Sequence, residues 1–120
     1  MPRPQSLPGP LADILEDTWT SLAEGCKHAR DAFHTPTVGT TRDGIAQLRT
    51  VVLRHVDRDV AELGFHTDAR SLKRADLTRS PELAWHFYDR ERKIQLRILG
   101  QASTYTEGDV ADRAWASVTP

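Results

Sequence analysis

Cysteine is nearly absent from this chain, with Cys26 alone among 120 residues. An internal disulfide is therefore excluded, and a reducing cytoplasm is the expected location. Long apolar runs are missing too, so no segment approaches the length of a membrane span. There is no glycine-rich phosphate loop and no GxGxxG, which removes support for a P-loop or Rossmann reading. The five histidines, His28, His34, His55, His66 and His86, lack the spacing of a metal site. No Ser/His/Asp or Cys/His constellation is evident, and Cys26 reads as a packed thiol on a helix face. Neither sign of charge is in large excess, since the net charge is −1.

That near-neutrality hides an asymmetry. Residues 42–97 carry a balance of +3 and the remainder −4. A local +3 suits a small anion and is thin for a nucleic-acid footprint, so no nucleic-acid partner is expected. The size fits one domain with a single modest core. Residues 1–10, with four prolines, read as a flexible leader, and 11–120 as the domain.

Leu11, Ile14, Leu15, Trp19, Leu22, Cys26, Ala29 and Phe33 recur at helical spacing and predict a helix over about 10–33. Thr35-Pro36 ends it. Thr37 to Arg42 is a short strand, Asp43-Gly44 a hairpin turn, and Ile45 to Val56 the longest strand candidate. Val60 to Thr67 returns as another strand. A short crossing helix is expected over about 70–79, capped by Thr67 or Asp68. Glu82 to Asp89 and Ile94 to Thr104 follow as strands, and Val110 to Val118 as a last helix. This order is mainly β with some helix, a small barrel or closed sheet of mostly antiparallel strands.

Three stretches carry the chemistry: Arg49-Thr-Val-Val-Leu-Arg54, Phe65-His-Thr-Asp-Ala-Arg-Ser-Leu-Lys73, and Gln95-Leu-Arg-Ile-Leu-Gly100. A phosphate dianion needs converging donors, ideally at a helix N-terminus, where backbone N–H groups are unpaired. Arg70, Ser71 and Lys73 fall at such a place, and Arg49 could complete the cluster. Taken singly, these cations read as solvated surface charges rather than as ligands. Arg49 and Arg54 are five apart on one expected strand, so period 2 puts them on opposite faces. Gln95 can both donate to and accept from the edge of a heterocycle.

In this order and spacing the three stretches resemble the FMN-binding domain of the pyridoxamine 5′-phosphate oxidase-like proteins, in a branch of mostly unassigned substrate. The resemblance covers about residues 11–117. It implies an FMN-binding split β-barrel with an N-terminal helix and a short crossing helix, dimerising with FMN at the subunit interface. It implies that Arg49 and Lys73 hold the FMN phosphate, with Ser71 and Arg70 beside them. Thr50, Val51, Val52 and Leu53 would lie along the flavin. His66, where the family commonly has Tyr, and Thr67 would contact the cofactor. Gln95 would reach the ring or ribityl region, from this subunit or the other. Arg54 matches a basic residue that helps hold a substrate phosphate. Leu72 stands where the oxidases usually have Arg, and the family's C-terminal segment has no counterpart before Pro120.

The resemblance implies an FMN-dependent oxidoreductase acting on a small molecule. A non-catalytic FMN carrier is the alternative, and a related deazaflavin remains open beside FMN.

Overall fold

The structure, a computed structural model of the chain, describes residues 9–66, 82–105 and 115–119. Helix α1 spans Gly9–Lys27, followed by a single 3₁₀ turn at Ala32–His34. Seven strands follow: β1 Thr37–Arg42, β2 Ile45–Thr50, β3 Leu53–Asp57, β4 Glu62–His66, β5 Glu82–Asp89, β6 Ile94–Tyr105 and β7 Trp115–Thr119. They form one antiparallel sheet in the order β2-β1-β5-β6-β7-β4-β3.

The hydrogen-bond ladder does not close, in contrast to the expectation of a closed sheet. Yet the two edge strands, β2 and β3, are consecutive in sequence and joined only by Val51-Val52. The sheet must therefore curl until its edges meet at that dipeptide. The result is a barrel split along one seam.

The hairpin at Asp43-Gly44 forms as predicted. Both residues have positive φ, 52° and 79°, which is the type I′ combination that matches strand twist. The helix ends earlier than its apolar spacing suggested. After Lys27 the chain turns back, and Asp31 Oδ1 accepts from the Phe33 N–H at 2.9 Å. Phe33 thus reaches the core from the 3₁₀ turn rather than from α1. It packs so closely that a Cβ on Gly25 would lie 2.5 Å from the Cβ of Phe33. His34 Nδ1 closes the turn on Gly25 O at 2.7 Å.

The predicted strand 45–56 is two strands. Val51 N–H still donates to Pro36 O at 2.9 Å, in the β1–β2 register, but Pro36 has no N–H to return the bond and the ladder stops there. The predicted helix 110–118 is overturned at its C-terminal end. Residues 115–119 are β7, inserted between β4 and β6 and laddered on both sides. Two ladders outweigh a weak helical spacing. The leader residues 1–8, the crossing helix at 70–79 and residues 106–114 lie outside the described residues.

The core follows strand alternation. Leu83, Trp85 and Phe87 of β5 point inward with Val38, Leu53, Leu63, Phe65, Leu22 and Phe33. Trp85 stacks on Phe87 (centroids 5.8 Å apart) and meets Phe65 edge-on at 5.4 Å. Trp85→Ala removes the centre of this cluster. It is expected to cost about 3–5 kcal/mol, seen in urea unfolding followed by far-UV circular dichroism. A loss under 1 kcal/mol would mean that the core does not depend on this ring.

Candidate functional site

The seam gathers most of the predicted residues that are described. Arg49 and Thr50 end β2, Val51-Val52 bridge the edges, and Leu53-Arg54 begin β3. Leu53 is opposite Phe65, so His66 at the end of β4 lies alongside Val52. Among the described residues, no strand pairs with the outer edge of β2 or of β3. The seam is therefore an unpaired sheet edge among the described residues. Along it, the Val51 N–H is taken by Pro36 O.

Side-chain placement follows from the register. Arg49 is opposite Val38 and half-buried, on the core side of the sheet. Thr50 is opposite Thr37 and exposed on the outer side. The Leu53 side chain is wholly buried, so only its peptide can serve a ligand. His66 is exposed. Thr67, Arg70, Ser71 and Lys73 lie outside the described residues.

The expected place of Arg54 across the sheet from Arg49 agrees with its exposure, since Arg49 is half-buried on the core side, but period 2 along one continuous strand is not the reason. The break at Val51-Val52, and a bulge between Leu53 and His55, interrupt that strand. Arg54 is exposed, within electrostatic reach of Cys26 on α1. Burial pushes the Cys26 thiol up, and the charges of Arg54 and Lys27 oppose that rise. Alkylation of Cys26 is therefore expected to be slow at pH 8 and to accelerate as pH rises. Arg54→Ala should slow it further. Alkylation at the rate of a free thiol would contradict this placement.

Gln95 stands apart from the seam. It opens β6 opposite Tyr88 and is exposed on the outer sheet face. From Thr50 the path crosses β1 and β5, three inter-strand steps and so about 14 Å along the sheet. His86 of β5, on the same face, donates from Nε2 to Gln95 Oε1 at 2.8 Å.

Between these two places runs a row of residues in register: Leu48, Gly39, Ala84 and Leu99. Its end members, Leu48 and Leu99, are 71% and 76% exposed. The row borders a shallow groove of about 340 Å³. Sequence reasoning did not mark His86 as a site residue, nor this row. The available signal was the alternation of β5, which sends Ala84 and His86 away from Leu83, Trp85 and Phe87.

A second cavity, of about 530 Å³, lies between α1 and the start of β6. Arg92 forms part of its wall, held by Asp89 and donating to Ser21 Oγ at 3.1 Å. The hydrogen bond from Arg92 holds the Asp89 carboxyl below its ordinary range. Of the predicted ligand residues only Gln95 borders this cavity. No helix among the described residues is long and apolar enough to cross a membrane.

The curled antiparallel sheet, with unpaired edges along one seam and an N-terminal helix over its core, defines a split-barrel protein. The chain belongs to the family of the pyridoxamine 5′-phosphate oxidase FMN-binding domain, whose model matches residues 15–106. FMN is accordingly its cofactor.

Solved structures share the fold. A pyridoxamine 5′-phosphate oxidase-related, FMN-binding protein of Nostoc punctiforme PCC 73102 is 22% identical, with a TM-score of 0.62 over 89% of this chain and 54% of its own. General Stress Protein 26 of Bacillus anthracis is 13% identical, with a TM-score of 0.62 over 86% and 88%. PhzG of Burkholderia lata, solved with tetrahydrophenazine-1-carboxylic acid, is 24% identical, with a TM-score of 0.61 over 84% and 52%. The chain thus spans about half the length of the Nostoc protein and of PhzG. No curated protein matches it in sequence.

Proposed function

We propose that the protein is an FMN-dependent oxidoreductase acting on a small molecule, with FMN held between two copies of the chain. The observation that carries this reading is the family match laid over the open seam at Arg49–Arg54. When bound, FMN supplies the electron transfer, and the protein's part is to hold the ring, orient it and exclude water. Arg49, with Lys73 and Ser71, would neutralise the phosphate. The peptides of Thr50 to Leu53 would line one edge of the ring.

Gln95 favours the two-copy arrangement. About 14 Å along the sheet separates it from Thr50, too far for both to serve the same edge of one ring. A second copy packed over the outer face would bring its own Gln95 to the seam. The row Leu48–Gly39–Ala84–Leu99 suits that packing. Bulky ends around a small-residue centre can mate with themselves across a two-fold axis. A reducing cytoplasm suits the lone half-buried thiol.

Purified protein tests the reading directly. A yellow protein that releases FMN on denaturation, and whose flavin is reduced and reoxidised by substrate pairs in a screen, supports it. A colourless protein that also fails to bind added FMN sinks it. FMN that stays bound but never turns over favours the carrier reading.

A further inference from the structure

We propose that His86 is a positioning residue of the flavin site, which holds the Gln95 carbonyl so that its NH₂ group is presented as a donor toward an acceptor edge of the bound ring. The inference rests on the FMN reading above. A glutamine amide offers both a carbonyl acceptor and two N–H donors. Here the acceptor, Oε1, is occupied by the His86 Nε2–H at 2.8 Å. The imidazole holds the carbonyl end toward β5, which leaves the NH₂ group as the end turned to a ligand. Its natural partner on a heterocycle is a ring carbonyl or an unprotonated ring nitrogen, not an imide N–H.

The strand register makes the pair possible. His86 is opposite Arg97 and Gln95 is opposite Tyr88, so the two are diagonal neighbours on the outer face of β5 and β6. Thr37 flanks His86 from the other side, across β1. His86 is half-buried between these neighbours, whereas Gln95 is exposed. An exposed glutamine loses rotamer freedom when it is ordered. The imidazole removes part of that loss before a ligand arrives, which is preorganisation. A donor aimed at a ring acceptor also favours the charge the ring gains on reduction.

The test is a double-mutant cycle on full-length protein, with FMN as the probe. His86→Phe, Gln95→Leu and the double variant are titrated with FMN, and the midpoint potential of the bound flavin is recorded. His86→Gln, which keeps a donor, is the rescue variant. His86→Phe is expected to weaken FMN about 5- to 10-fold and to lower the midpoint potential, as Gln95→Leu does. The double variant should be no worse than Gln95→Leu, and His86→Gln should regain most of the loss. Losses that add in the double variant would overturn the inference, as would wild-type affinity and potential in His86→Phe. Wild-type protein that takes up no FMN overturns the FMN reading itself and this inference with it. The wild-type titration therefore tells the two failures apart. Circular dichroism of each variant shows that the fold is kept.

Discussion

Replacing Leu48 and Leu99 together by glutamate is expected to leave a folded monomer that has lost FMN. Both leucines sit on the outer sheet face, 71% and 76% exposed, in the row completed by Gly39 and Ala84. Neither contributes to the core, so the fold has no reason to suffer. A two-fold interface over this row would bury four leucines per dimer. At about 1.5–3 kcal/mol each they would contribute on the order of 6–12 kcal/mol. Association costs roughly 4–15 kcal/mol in lost freedom, so the row weighs about as much as the cost it must offset. Losing it, and placing carboxylates where water is excluded, should decide the equilibrium. Light scattering after gel filtration at several concentrations should show a wild-type dimer and a variant monomer. FMN affinity should fall at least 100-fold in the variant, because the partner's share of the site departs with it. A variant that still dimerises and binds FMN normally would show that the row is not the interface. A wild-type monomer that holds FMN tightly would sink the shared site altogether.

Much of the fold was legible because one-dimensional signals were strong where neighbours did not compete. Leu83, Trp85 and Phe87 alternate cleanly with Ala84 and His86, and β5 appears where that pattern lies. Asp43-Gly44 supplies two residues tolerant of positive φ, and the β1–β2 hairpin turns there. The break at Val51-Val52 had no such mark. A run of Val, Val and Leu is what a strand interior looks like, and no glycine or proline interrupts it. What ends β2 lies fifteen residues upstream: Pro36, opposite Val51, accepts from the Val51 N–H but has no N–H to give back. Missing that break also removed the premise for setting Arg49 and Arg54 on opposite faces, because period 2 holds only within one strand. The C-terminal strand failed for a related reason. Trp115 fits a helical spacing, but β7 is decided by the two ladders waiting on β4 and β6. For the candidate site, the sequence names candidates but not their arrangement. Arg49, His66 and Gln95 could be picked out by type and order. That His86 grips Gln95, or that Leu48 and Leu99 share a row, depends on registers between β1, β2, β5 and β6 that no local pattern encodes.

Arg49→Ala and Lys73→Ala are each expected to raise the Kd for FMN about 10- to 100-fold, while leaving the affinity for riboflavin within about twofold. The range follows from charge-assisted hydrogen bonds to a dianion, worth about 1.5–3 kcal/mol apiece. Riboflavin is the deciding control because it carries the same ring and ribityl chain without the phosphate. A residue that binds phosphate must discriminate between the two ligands, and a residue that merely supports the seam cannot. Arg49 is placed for the first role by its position at the end of β2, one residue before the seam. Its half-burial on the core side lets it act with less competition from water than a surface cation. Lys73 comes to the same role through the family pattern, which sets it on the far side of His66 in the sequence. The double variant should lose less than the product of the single losses if both cations meet one phosphate, since neighbours in one network do not add. Arg54→Ala is the internal contrast. Arg54 lies toward Cys26 and α1, so its removal should leave FMN affinity within about twofold and alter only thiol reactivity. Equal losses for FMN and riboflavin in Arg49→Ala would mean that the phosphate is held elsewhere, and that the cation at the seam serves the sheet rather than the cofactor.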